Sequence, residues 1–180
     1  TNGSTWQVAD IYNLGSGQPT DIIAMGTRLY FEAYDSSGFE LWAHESTNGS
    51  TWQVADIQSG SNSGYANDIT VIGTRLYFEA YDGISGRELW VHETTNGSTW
   101  QVADIWSGSN SGHANDITAM GTRLYFQAND GVTGFELWVH DSASGLTWQA
   151  ADIWSGSNSG LPSNFVVAGD RLYFQANDGN

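Results

Sequence analysis

His44, His92 and His140 recur at intervals of 48 residues, each closing an ELW-x-H word. Histidines at matching positions of a repeat can form a circle of pH-sensitive or metal-ligating groups. The same pattern arises when each histidine is hydrogen-bonded within its own unit, too far from its copies to share an ion. Acids recur beside them. The turns Asp82–Gly86 and Asp130–Gly134 are followed by Glu88 and Glu136, and Asp35 and Glu40 are a shorter counterpart. Turns of this kind can offer carboxylates and carbonyls to calcium, which takes six to eight oxygen ligands. Asp-Gly is equally a plain turn former, and the spacing is not that of an EF-hand loop. Calcium is therefore the one candidate cofactor, through Asp35, Glu40, Asp82, Glu88, Asp130 and Glu136.

Two further sets are candidates for recognition. After each ADI word stands Tyr12, Gln58, Trp106 or Trp154, and the following linkers carry Tyr65, His113 and Leu161. A flat ring beside Asn, Ser and Asp is what a sugar site requires, so Tyr12, Tyr65, Trp106, His113 and Trp154 form a candidate ligand set. The alternative is that these rings pack the linkers onto the fold. All five basic residues are arginines, four of them opening RLYF words: Arg28, Arg75, Arg123 and Arg171. They are expected to pair with acids, with Asp10, Asp56, Asp104 and Asp152 of the ADI words as candidate partners.

Catalysis has little footing. The sequence carries no GxSxG, HExxH, P-loop or dinucleotide-binding pattern, and every chemistry-bearing residue is copied from unit to unit. A net charge of −15 disfavours nucleic acid and anionic membrane, leaving proteins or glycans as expected partners. The chain has no cysteine, hence no disulfide or thiolate site, and no apolar run of membrane-spanning length. NGS sequons occur at Asn2, Asn48 and Asn96.

What must position these residues is a repeat. Trp6, Trp52, Trp100 and Trp148 lie in TWQVADI or TWQAADI words spaced 46, 48 and 48 residues apart. Residues 21–66, 67–114 and 115–162 are full units of one repeat domain, flanked by partial units at 1–20 and 163–180. In the third unit, Asn115–Met120, Thr122–Ala128, Phe135–His140 and Thr147–Ile153 read as strands joined by short turns, an antiparallel meander. The link WSGSNSGLPSN is longer and suits a step to the next sheet. Leu124, Phe126 and Ala128 face one way and Arg123, Tyr125 and Gln127 the other, so both faces carry an aromatic ring, as sheets stacked between neighbours need. The expected fold is all-β: a β-propeller of about four four-stranded antiparallel blades. A β-solenoid is the alternative, disfavoured by the tight hairpin turns.

The strand count is 15, one short of four blades, because no ELWVH word stands after Asn180 or before Thr1. Three arrangements would follow: a ring whose fourth blade draws on both termini and lacks its third strand, a segment of a longer array, or a blade completed by another molecule.

With ELWAHES, ELWVHET and ELWVHDS, preceded by RLYFxA and DGxxG, the chain resembles the ELWxxDGT-type, hyalin-like repeats of large secreted or surface bacterial proteins. It departs from them where DGT would follow ELW. The resemblance implies a propeller fold and an extracellular or cell-surface setting, and no catalytic residues. The resulting expectation is a non-enzymatic extracellular scaffold or interaction module. A multivalent carbohydrate-binding lectin and a self-assembling surface component are the alternatives.

Overall fold

Runs of β-branched and aromatic residues between glycine turns become fourteen strands in a computed structural model that describes residues 3–180. The first blade comprises β1 (Thr20–Met25), β2 (Arg28–Asp35), β3 (Gly38–Glu45) and β4 (Thr51–Ala55). The second comprises β5 (Asn67–Ile72), β6 (Arg75–Tyr81), β7 (Arg87–Glu93) and β8 (Ser98–Ala103). The third comprises β9 (Asn115–Met120), β10 (Arg123–Asn129), β11 (Phe135–Asp141) and β12 (Leu146–Ala151). A two-stranded sheet of β13 (Ser163–Ala168) and β14 (Arg171–Gln175) completes the set. Each four-stranded sheet is a sequential antiparallel meander. No helix is present among the described residues, so none is long and apolar enough to cross a membrane.

The first strands pack side by side, β1 by β5, β5 by β9 and β9 by β13. Together they border one axial opening lined by Asp21, Asp68, Asp116 and Asn164, among others. Each of these four residues sits in a register break of its strand, at φ between 50° and 56°. Asp and Asn tolerate that left-handed conformation better than other side chains, which suits them to a bulge. This radial stacking of meanders excludes the solenoid alternative.

Both faces of each blade are apolar, as the sequence pattern requires. Tyr30, Leu41 and Ala43 of the first blade meet Leu76, Phe78 and Ala80 of the second. Tyr77, Leu89 and Val91 of the second meet Leu124, Phe126 and Ala128 of the third. Each of the larger rings contributes on the order of 2–3 kcal/mol by its burial. The outward face of the first blade, Phe31, Ala33 and Trp42, is covered instead by Ile11 of the N-terminal segment.

One expected strand is absent. Thr5–Ile11 has the sequence of a fourth strand but no strand structure, and β14 pairs only with β13. The reason lies in the pairing of the other copies, where TWQ strands hydrogen-bond only to ELW strands. Among the described residues no ELW strand lies beside the N-terminal TWQVA run, and it stays unpaired.

Candidate ligand site at the blade junctions

The repeated glutamates are the most deeply buried charged groups. Glu40, Glu88 and Glu136 are 0 % exposed. Each reaches across the linker that leaves its own blade. Glu40 accepts hydrogen bonds from the N–H groups of Ile57 (2.8 Å) and Gly64 (2.7 Å). Glu88 does so from Ile105 (2.8 Å) and Gly112 (2.6 Å), and Glu136 from Ile153 (2.7 Å) and Gly160 (2.6 Å). The glycines are required because a Cβ at Gly64, Gly112 or Gly160 would lie within 2.5–2.7 Å of a glutamate oxygen. Burial pushes the Glu40 and Glu88 carboxyls up to about 7, against the pull of these donors.

The turn acids are likewise engaged by backbone. Asp35 accepts from the Ser37 N–H, Asp82 from Ile84 and Ser85, and Asp130 from Val132 and Thr133, all at 2.7–2.8 Å. Burial acts upward on Asp82 and Asp130, yet these turn hydrogen bonds hold both below the usual aspartate range. Asp and Glu of one repeat thus serve different segments, the turn and the linker, and do not converge as the calcium reading needs. Among the described residues no three His, Asp or Glu side chains are placed to hold a metal ion together.

The histidines belong to their own blades. Nδ1 of His44, His92 and His140 lies 2.8–2.9 Å from the hydroxyl of Thr51, Thr99 and Thr147. Burial lowers the pKa of His92 and His140. The arginines pair differently from expectation. Arg28 meets Glu45 at 3.2 Å, Arg75 meets Glu93 at 3.1 Å and Arg123 meets Asp141 at 3.2 Å. Their partner is the acid following each histidine, which antiparallel register puts directly opposite the arginine, and not the Asp of ADI. Each guanidinium also lies 5.6–5.9 Å from the ring of Trp52, Trp100 or Trp148.

The loop aromatics are each packed against a blade. Tyr12 meets Tyr34 edge-on at 5.4 Å, and Tyr65 stacks on Phe39 at 5.9 Å under the Arg87 guanidinium. His113 packs on Phe135 and bonds Glu79 at 3.1 Å. Trp106 and Trp154 lie against Gly131 and Gly179, where a Cβ would collide with the indole. Their common role is to fasten a linker to a blade; Trp106 and His113 share the linker between β8 and β9, while Tyr12, Tyr65 and Trp154 stand on three others.

What the sequence pattern concealed is a groove between blades. Arg75, Tyr77, Val91, Trp100 and Val102 of the second blade face His140 and Gly145 of the third across a cavity of about 180 Å³. Arg28, Tyr30, Trp52 and Val54 face His92, Thr94 and Gly97 in the same way around about 140 Å³. The Tyr77 hydroxyl in the first of these grooves is buried without a hydrogen-bond partner among the described residues. The tryptophans are 37–39 % exposed. Only the pairing of adjacent units creates the site, so the TWQ tryptophans, read singly, resemble core residues.

No family model and no curated protein matches the sequence. Solved structures do. The chain is similar to TolB from Acinetobacter baumannii, with 11% identity and a TM-score of 0.57 over 82% of this chain and 34% of TolB. It is also similar to puromycin hydrolase, with 16% identity: a mutant in complex with PGG at a TM-score of 0.56 (88% of this chain, 24% of the hydrolase), and a second structure at 0.51 (82% and 23%). The chain therefore spans about a third of TolB from Acinetobacter baumannii and about a quarter of puromycin hydrolase. The fold these likenesses define is an all-β, propeller-like one.

Proposed function

We propose that this chain is a non-enzymatic scaffold of the β-propeller type, extracellular or at the cell surface, that presents repeated blade junctions to a partner. The observation that carries this reading is the copy-by-copy engagement of its polar groups. Glutamates hold linkers, histidines hold threonines, arginines hold the neighbouring acids, and turn aspartates hold N–H donors. A catalytic constellation needs a singular convergence of such groups, with the base free to move a proton. TolB, a structural relative, is compatible with a scaffold. Puromycin hydrolase is named for an enzyme, so activity needs a direct test. Ester, amide and glycoside hydrolysis assays are expected to stay at background; turnover lost on Glu88→Gln would overturn the reading.

A second reading, a multivalent sugar binder, is favoured by the junction groove. It joins a half-exposed indole, a guanidinium, an imidazole and a phenol around a small cavity, and it occurs twice. Two weak sites on one rigid body would give avidity for a repetitive glycan. Glycan-array binding that falls on Trp100→Ala, with the melting curve retained, supports it.

A further inference from the structure

The N-terminal linker repeats a receptor that three other linkers use. Ile57, Ile105 and Ile153 are each followed by a glycine, Gly64, Gly112 or Gly160, and the two N–H groups bracket a glutamate carboxylate. The residue before each glutamate joins the same contact. The Phe39 carbonyl accepts from Gly64 and Tyr65, while its N–H donates to the Ser63 hydroxyl at 3.0 Å. Ile11, Ser16, Gly17 and Gln18 are the matching residues at the N-terminus.

Their backbone is set like the others. The Gly17 carbonyl accepts from the Tyr34 N–H at 2.7 Å, as Gly64 does from Tyr81 and Gly112 from Asn129 at 2.7–2.8 Å. Gln18 takes φ 43°, beside 53° at both Tyr65 and His113. A Cβ on Gly17 would lie 3.0 Å from the Ile11 Cβ, matching the 2.7–2.8 Å approach of Gly64 and Gly112 to their isoleucines. The N–H groups of Ile11, Gly17 and Gln18 have no acceptor among the described residues. They border a cavity of about 420 Å³ lined by Gln7, Ala9, Asp10, Gly15 and Pro19 as well. Beside it runs Thr5–Ala9, unpaired, with Trp6 74% and Val8 58% exposed.

We propose that this N-terminal segment is a preformed docking site for an extended peptide of the Phe-Glu-Leu-Trp-x-His type. The glutamate carboxylate accepts from the Ile11 and Gly17 N–H groups, and the peptide backbone adds as a strand beside Thr5–Ala9. The recognition is strand addition: backbone bonds supply affinity, and the carboxylate sets register by engaging two donors of half-buried residues. Its partner is identified by the chemistry the chain itself displays three times, in β3, β7 and β11. This goes beyond the scaffold reading, because it assigns a specific peptide class to one end of the scaffold.

The test is titration of the 180-residue protein with a synthetic peptide of residues 134–141, GFELWVHD, followed by calorimetry. The expected result is 1:1 binding that orders Thr5–Ala9. Replacing the peptide glutamate by leucine should weaken it by roughly tenfold or more, since hydrogen bonds to a charged group are worth about 1.5–3 kcal/mol. Gly17→Ala should have a like effect, because a Cβ occupies the carboxylate position. The peptide arm leaves the protein unchanged, so a folding defect in Gly17→Ala cannot mimic the result. Absence of binding, equal binding of the leucine peptide, or full binding by a folded Gly17→Ala protein would each overturn the proposal.

Discussion

The Glu88 carboxylate lies 2.6 Å from the Gly112 N–H, joining a strand to a linker 24 residues later. That bond, with its copies at Glu40–Gly64 and Glu136–Gly160, fastens each linker as it passes to the next blade. A methyl group at Gly112 would fall 2.5 Å from a Glu88 oxygen. Gly112→Ala is therefore expected to cost roughly 2–3 kcal/mol, by strain and a displaced hydrogen bond to a buried charge. Urea unfolding of the purified variant measures it. A loss below about 0.5 kcal/mol would show that the linker yields easily.

Burial raises the Glu40 and Glu88 carboxyls from 4.5 to about 7. A carboxyl whose folded pKa exceeds its unfolded one favours folding in its protonated form. That contribution is complete below about pH 4.5 and is lost as pH rises through about 7. His92 and His140 act oppositely: lowered from 6.5 by burial, they favour folding above that pH and lose the effect as pH falls. The glutamate part is isolated by comparison. Stability of the wild type relative to Glu88→Gln should decline between pH 4.5 and 7.5; a flat difference would contradict the assignment.

Glu32 and Glu79 occupy equivalent positions with unequal partners. Glu79 meets Arg87 at 3.2 Å and His113 at 3.1 Å. The matching residues around Glu32 are Phe39 and Tyr65, and its Oε1 is buried without a partner. Burial, foremost, raises its pKa, although the Thr20 hydroxyl donates to Oε2 at 2.8 Å. In the third blade this position is Gln127, which donates to the Pro162 carbonyl. Glu32→Gln is expected to stabilise the protein by about 1 kcal/mol at pH 8, shrinking to nothing below pH 4.5. Thermal melts at the two pH values decide it.

The meander, the two apolar faces and the blade boundaries were legible because they rest on local alternation and turn residues. Arg123–Asn129 was expected from Thr122–Ala128, and the facing of Leu124 against Tyr125 was read correctly. The arginine partners were not legible, since Asp104 and Glu93 are equally plausible until strand register sets Glu93 opposite Arg75. Nor was the role of Glu88, whose bond to Gly112 depends on how the linker folds back. The packing of Trp106 was not legible for a related reason: a ring beside polar loop residues reads alike whether or not it lies against Gly131. Trp100, ordinary within its own strand, becomes half of a groove only when His140 of the next blade is placed against it.

That the blade junctions are the surface presented to a partner is tested most directly by mapping where a ligand from a glycan array touches the protein. Side-chain chemical shifts of the tryptophan and histidine rings should change together at Trp52 with His92 and at Trp100 with His140. Trp106 and Trp154 should stay unmoved. Changes confined to a single blade, or centred on Trp106 and Trp154, would contradict it.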